Sequence, residues 1–339
     1  MSSNGRPSGV IRVDGQETIA AAALRMSEHG IGCLPVTDEG GKLIGIISER
    51  DILTRVVARG GNPRQLRVAD CMTRSVVSCP RGTPMHRVRQ IMSQSRIRHL
   101  PIVDGDVAVG IISSREVIAD QLAQDRKMRN LTIFALAKLA ESRDPDTGGH
   151  LERVQSYAAL LSRQLLRQRH STQIDAHFVR LMYTSSPLHD IGKVGVPDGV
   201  LLKPGPLSKE EFEVMKTHCR KGAETIDSVL ARFPHAEFLR MGRSIAAWHH
   251  ERYDGTGYPD GLSGEEIPLS ARIFSVCDVY DALVSKRVYK EPLPHCTAVD
   301  IVTGATGKQF DPSIVHAFLG CRARFAAIEN RHEARMTAA

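Results

Sequence analysis

No apolar run in this 339-residue chain approaches the roughly 20 residues that a bilayer-crossing helix needs. Met1 to Val10 is polar and rich in Gly, Ser and Pro, with no apolar segment of the kind a secretory leader carries. The seven cysteines are odd in number and scattered without CxxC spacing, which excludes an evident disulfide framework. These absences predict a cytoplasmic protein with reduced thiols and no membrane segment, where the sequon-like Asn130-Leu131-Thr132 has no meaning. Also missing is any dense Lys/Arg block with interleaved aromatics. The net charge of +7 therefore does not predict nucleic-acid binding, although it would suit a smaller anionic partner such as a nucleotide. What is present is a globular composition, 42% hydrophobic and 24% charged, with length for roughly two domains.

The first third is an internal repeat at an offset of about sixty-five residues. Ile31-Gly32-Cys33-Leu34-Pro35-Val36-Thr37-Asp38 followed by Leu43–Ile52 is matched by Ile97-Arg98-His99-Leu100-Pro101-Ile102-Val103-Asp104 followed by Val107–Val117. A helical stretch precedes each copy, Thr18 to Met26 and Met85 to Met92, so each unit reads α-β-turn-β-α. Ser48 and Ser113 stand where the second helix wants an N-cap. With Gly-Ile-Ile-Ser-Glu-Arg-Asp at 45–51, the pair resembles a tandem CBS module. That resemblance implies an adenine nucleotide, ATP or AMP, held through Ser48 and Asp51, with Glu116 replacing the aspartate in the second copy. The alternative is a module that only folds and dimerises. From Leu122 to Glu141 helix formers run without Pro or Gly. Met128, Leu131, Ala135 and Leu139 recur at helical spacing, as a stripe facing the next core or pairing with its copy in a homodimer.

The remainder reads as helices. One spans His150 to Leu166, another runs from Ile174 to Leu188 with His189 and Asp190 in its last turn, and Gly192 ends it. Ser208 and Glu211 form a capping box for a helix carrying His218. Trp248-His249-His250 closes an apolar helical stretch, and Asp278 and Asp281 share a face of a helix from Ser270 to Val284. Each histidine alone is more often a surface or core residue than a ligand. Gathered at the ends and inner faces of separate helices, they suit the way helical domains build metal sites. Imidazoles mixed with carboxylates favour iron, manganese, zinc or nickel. Cys219 and Cys277 adjoin candidate ligands, but helical neighbours point about 100° apart, so both are expected to face away.

The ordered set Asp146-Thr147-Gly148-Gly149-His150, Leu188-His189-Asp190-Ile191-Gly192-Lys193, Lys203-Pro204-Gly205, His218, His249-His250-Glu251-Arg252-Tyr253-Asp254-Gly255-Thr256-Gly257-Tyr258-Pro259, Asp278-Val279-Tyr280-Asp281 and Phe310-Asp311-Pro312 resembles an HD-GYP domain. The resemblance implies metal ligation by His150, His189, Asp190, His218, His249, His250 and Asp278, with Asp190 bridging. It implies two divalent ions, iron or manganese, and a third if Asp146 takes the place of the family's glutamate. Catalysis would rest on Asp190, His189 and Lys193. Substrate contacts would come from Lys193, Arg287, Tyr289 and Lys290 and from the turn at Gly257 and Tyr258, which also bears on signalling-protein partners. Lys193 is otherwise a solvated turn lysine, and Asp281 would orient ligands or Lys193.

The expected fold is multidomain, an α/β tandem CBS pair followed by an all-α HD-type helical domain. Its expected parts are a flexible N-terminal tail (1–9), the CBS module (10–121), a connector helix (122–141), the HD-GYP phosphohydrolase domain (142–326) and a C-terminal tail (327–339). The implied function is hydrolysis of cyclic di-GMP to linear pGpG or onward to GMP. The alternatives are an HD phosphohydrolase for another cyclic dinucleotide or nucleotide, and a non-catalytic cyclic di-GMP signalling adaptor.

Overall fold

The computed structural model describes residues 10–142, 149–168, 172–285 and 291–337, with side chains as far as 331. The chain forms two compact units, Met1–Arg126 and Lys127–Ala339. No helix among the described residues is long and apolar enough to cross a membrane.

In the first unit a β-α-β-β motif occurs twice. The first copy is β1 (Val13–Asp14), α1 (Ile19–His29), β2 (Cys33–Thr37) and β3 (Leu43–Ser48). The second is β4 (Cys79–Pro80), α2 (Met85–Gln94), β5 (His99–Asp104) and β6 (Val107–Ser113). Each makes a three-stranded sheet with a parallel pair and then an antiparallel one. Leu34 pairs with Ile47 and Leu100 with Ile112, so the repeat in sequence is a repeat in space. The short leading strands are additions to the expected α-β-turn-β-α unit. Thr18 caps α1, its hydroxyl oxygen accepting the Ala21 amide at 3.3 Å.

The two expected cap serines share one geometry. Ser48 Oγ accepts the Asp51 amide at 3.3 Å and donates to Asp51 Oδ2 at 2.6 Å. Ser113 likewise donates to Glu116 Oε2 at 2.8 Å and accepts the Glu116 amide at 3.4 Å. One extra methylene therefore preserves the cap in the second copy.

A long helix, α3 (Ser114–Glu141), begins in the first unit and continues into the second. Its buried face corrects the expected core stripe. From Lys127 onward Ile133, Ala137 and Ala140 are the buried positions, whereas Met128, Leu131 and Leu139 are 65%, 54% and 70% exposed. Both stripes are apolar at helical period, so periodicity alone does not choose between them.

The rest of the second unit is helical: α4 (His150–Arg167), α5 (Ala176–Ser185), α6 (Lys209–Leu230), α7 (Glu237–Trp248), α8 (Leu269–Val284), α9 (His295–Gly304) and α10 (Pro312–Thr337). Its core is built on α4, α8 and α10, where Tyr157 stacks on Phe325 at 4.6 Å and Tyr280 meets both rings edge-on. The Ser208–Glu211 capping box forms as expected. The expected helix from Ile174 to Leu188 is shorter. Asp175 caps it by accepting the Phe178 amide at 2.7 Å, and it ends at Ser185. Pro187 has no amide hydrogen for the carbonyl one turn back, so the chain tightens into 3₁₀ turns at Ser186–Leu188 and Ile191–Gly195. His189 and Asp190 lie between those turns, not in an α-helical last turn.

Asp311 ties α8 to the start of α10. It accepts the Ser313 amide at 2.8 Å and pairs with Arg272 at 2.5 Å. Burial pushes its carboxyl up, but the Ser313 and Arg272 bonds outweigh burial and hold it below the usual carboxylate range. A depressed folded-state value adds stability above the unfolded value of about 3.9, and that stability is lost as pH falls through the folded value. Asp311→Asn is expected to lower the melting temperature at pH 6 and to lose less on acidification than the wild type. Thermal scans at the two pH values check this.

Candidate metal centre

Four imidazoles converge because each has its outer nitrogen tied. His189 Nδ1 lies 3.1 Å from the Ser186 carbonyl, His218 Nδ1 2.8 Å from the Met215 carbonyl, and His249 Nδ1 3.0 Å from the Ile245 carbonyl. A carbonyl oxygen only accepts, so each Nδ1 carries the hydrogen, and in the neutral ring each Nε2 presents a lone pair. His150, the first residue of α4, gives Nδ1 to Asp281 Oδ2 at 2.8 Å. One turn along α4, Arg153 holds the same carboxylate bidentately, Nε to Oδ1 at 2.6 Å and Nη2 to Oδ2 at 2.9 Å. Asp281 thus orients His150.

Asp190 stands between two donor groups. Its Oδ2 is 3.1 Å from His189 Nε2, and its Oδ1 is 3.3 Å from His218 Nε2 and 3.7 Å from His249 Nε2. On one side, His150, His189 and Asp278 bring ligand atoms within 4.8 Å of one another. On the other, His218, Cys219 and His249 do the same. His250 stacks on Tyr258 with ring centroids 4.8 Å apart and meets His218 edge-on at 5.2 Å. Phe274 packs beneath His189 at 4.7 Å, a dry floor for the centre.

The electrostatics follow from burial and crowding. Burial pushes the Asp190 carboxyl up, but Lys193 and His189 outweigh it and hold the group well below the usual range. Lys193 Nζ is 2.8 Å from Asp190 Oδ2. Burial pushes the His249 imidazole down to about 3, and that of His250 well below its ordinary value. His218 is lowered by burial too. Burial would also depress His189, yet the adjacent Asp190 carboxylate raises it. The centre is thus mostly neutral imidazole around an ionised carboxylate.

That donor set fits a divalent metal ion. Asp190 Oδ1 and His249 Nε2 are buried and have no hydrogen-bond partner among the described residues. Orphaned buried acceptors are costly, and a cation satisfies them. Ligating imidazoles held from behind by carbonyls and carboxylates are the usual outer support of such sites.

The structure brings together His150, His189, Asp190, Lys193, His218, His249, His250 and Asp278, with Tyr258 on His250. Asp146, Arg287, Tyr289 and Lys290 lie outside the described residues. Ser48 and Asp51 belong to the first unit. Gly257 has a packing role: a Cβ there would overlap the Arg252 amide and stand 2.5 Å from Glu251 Cα. One expectation is overturned. Cys219 does not face away, since its Sγ is 3.4 Å from His218 Nε2. Cys277 does turn aside, its thiol donating to the Ile273 carbonyl.

Three supporting residues escape a search for ligands. Arg153 was legible as the position three after His150, on the same face of α4. Glu251, 2% exposed, accepts the Asp260 and Gly261 amides at 2.7 and 3.1 Å and so pins the Gly-Tyr-Pro turn. Glu141 is a half-buried carboxyl 3.5 Å from Lys138 Nζ, raised by burial, with His150, Lys138 and His189 opposing that shift. Arg153→Leu would leave the Asp281 carboxylate buried without its cation, at an expected cost of about 3–5 kcal/mol. Urea unfolding of the metal-free protein measures it.

Comparison with known proteins comes to the same region. A family model described as HD domain matches residues 135–314, and one described as CBS domain matches residues 7–58 and 68–122. The chain is 42% identical over 248 residues to a protein of Vibrio cholerae serotype O1 named cyclic di-GMP phosphodiesterase, covering 71% of this chain and 50% of that one. It is 44% identical over 197 residues to the cyclic di-GMP phosphodiesterase response regulator RpfG of Xanthomonas campestris, covering 58% of this chain and 49% of the other. A Vibrio cholerae protein named 3'3'-cGAMP-specific phosphodiesterase 2 is 35% identical over 196 residues, covering 58% of this chain and 35% of that one. The chain spans half or less of the length of these three relatives.

Proposed function

Because the chain belongs to the HD domain family and carries two CBS domains ahead of that domain, we propose that it is a metal-dependent phosphodiesterase that cuts cyclic di-GMP to linear pGpG, with GMP as the product of a second cut. The reading rests on the Asp190 carboxylate set between two imidazole groups. It draws further on relatives named for this activity.

In this reading His150, His189 and Asp278 would hold one ion, and His218, His249 and His250 the other. Asp190 would serve both, and Asp146 a third if one binds. Iron or manganese suits these donors. Bound ions would polarise the phosphodiester and acidify an attacking water. The protein supplies the rest. Asp281 and Arg153 fix the His150 ring, and Phe274 keeps water from one side of the centre. Lys193 holds Asp190 and lies near enough to meet a substrate phosphate as a point charge. Tyr258 on His250 offers an aromatic face beside the centre, and Arg287, Tyr289 and Lys290 supply positive charge and a ring for the dinucleotide. The Gly257–Tyr258 turn also serves partner proteins.

Incubating metal-loaded protein with cyclic di-GMP under reducing conditions and chromatographing the products tests this. Linear pGpG is expected, and its absence sinks the reading. A second reading, a different cyclic dinucleotide, is favoured by the 35%-identical relative named for 3'3'-cGAMP. The ratio of kcat/KM values for the two substrates separates them.

We further propose a cytoplasmic homodimer regulated by ATP or AMP at Ser48 and Asp51. The exposed Met128, Leu131 and Leu139 support self-association. Light scattering of the full chain reads the dimer, and calorimetry with each nucleotide reads the regulatory site.

A further inference from the structure

We propose that Cys219 is a ligand of the metal centre and gives its His218–His249 half a sulfur donor, an inference that rests on the metal-centre reading above. Neighbours on a helix ordinarily diverge by about 100°. Here the His218 ring is folded back by its Nδ1 bond to the Met215 carbonyl, and Nε2 comes to 3.4 Å from Cys219 Sγ. An imidazole nitrogen at about 2.0–2.1 Å and a thiolate sulfur at about 2.3 Å from one ion stand roughly 3.1–3.6 Å apart, for bond angles from square to tetrahedral. The observed separation lies inside that window.

A second observation points to the same place. His249 Nε2 belongs to a side chain with 0% exposure and has no hydrogen-bond partner among the described residues. It shares the 4.8 Å group with His218 and Cys219, all three buried. Asp190 Oδ1, equally orphaned, is 3.3 Å from His218 Nε2 and 3.7 Å from His249 Nε2. Two imidazoles and a sulfur thus gather beside the Asp190 oxygen, and Cys219 joins His250 in the donor set of this half. Burial pushes the Cys219 thiol up, so sulfur would ligate as thiolate only where a bound cation displaces its proton to solvent. A soft donor biases this half toward iron, cobalt or zinc and away from manganese. Of the two metals proposed above, it selects iron here.

The full chain, chelated and reloaded with Co²⁺, provides the test through its absorbance. The wild type is expected to show visible d–d bands together with a near-ultraviolet sulfur-to-cobalt charge-transfer band. Cys219→Ser should keep the d–d bands and lose the charge-transfer band, and Cys277→Ser should keep both. Wild-type d–d bands without the charge-transfer band overturn the proposal and leave Cys219 as an S–H donor to His218. No d–d bands at all overturn the metal-centre reading, and the proposal falls with it. X-ray absorption of the zinc-loaded wild type needs no variant and should find a sulfur scatterer at about 2.3 Å; finding none refutes the ligand. In competition, the preference of Cys219→Ser for Zn²⁺ over Mn²⁺ should fall by at least about 10-fold, and an unchanged preference contradicts the proposal.

Discussion

Replacing Asp190 by Asn is expected to lower turnover of cyclic di-GMP by on the order of 10³-fold or more, because several kcal/mol of charge stabilisation depend on the bridged centre. The amide is nearly isosteric, so the 3₁₀ turns around it keep their packing and far-ultraviolet circular dichroism should not change. What is lost is the charge. Asp190 is held ionised by Lys193 and His189, and its two oxygens face His189 on one side and His218 and His249 on the other. An amide offers a single weak acceptor, and its nitrogen would point a donor at lone pairs that are already directed inward. Metal content should fall alongside kcat. A variant that retains its rate within tenfold would remove Asp190 from the centre of the account.

Gly192→Ala should be the most damaging single methyl in the second unit. Gly192 sits in the turn that follows Asp190, where the backbone lies against α6. A Cβ there would overlap the His218 carbonyl and the Gly222 amide and would stand 2.9 Å from Gly222 Cα. These are backbone atoms of a helix, so no side chain can swing aside. Overpacking of this kind costs about 1–3 kcal/mol when side chains give way, and a backbone clash should exceed that range. The turn and α6 would have to part, carrying His189 away from His218. Denaturant midpoint and metal affinity should fall together. A variant with wild-type stability would show that the turn does not approach α6 as closely as described.

The two units differ in how far the sequence discloses them. The repeat in the first unit was legible because strand pairing is local, and Leu34–Ile47 and Leu100–Ile112 recur in equivalent contexts. In the second unit, the ordering of histidines and carboxylates along the helices was visible, since such residues are sparse on otherwise apolar faces. Three features were not. The break at Pro187 was hidden because the apolar period runs through it to Leu188. The inward face of α3 was hidden because two stripes have the same period, and packing of Ile133 against Leu188 and Ile226 decides between them. The approach of His218 Nε2 to Cys219 Sγ depends on the rotamer of the His218 ring, which no spacing rule conveys. Orientation around a helix axis is set by tertiary contacts, and those are what a linear pattern lacks.

The proposed hydrolysis of a cyclic dinucleotide requires two ions that share Asp190. Titrating Fe²⁺ anaerobically into the chelated 339-residue chain, while counting bound metal and linear pGpG formed in the same samples, tests this. Little product is expected at one ion per chain, with a steep rise as the second binds. Full activity with one ion or none, or no linear product at any loading, would contradict it.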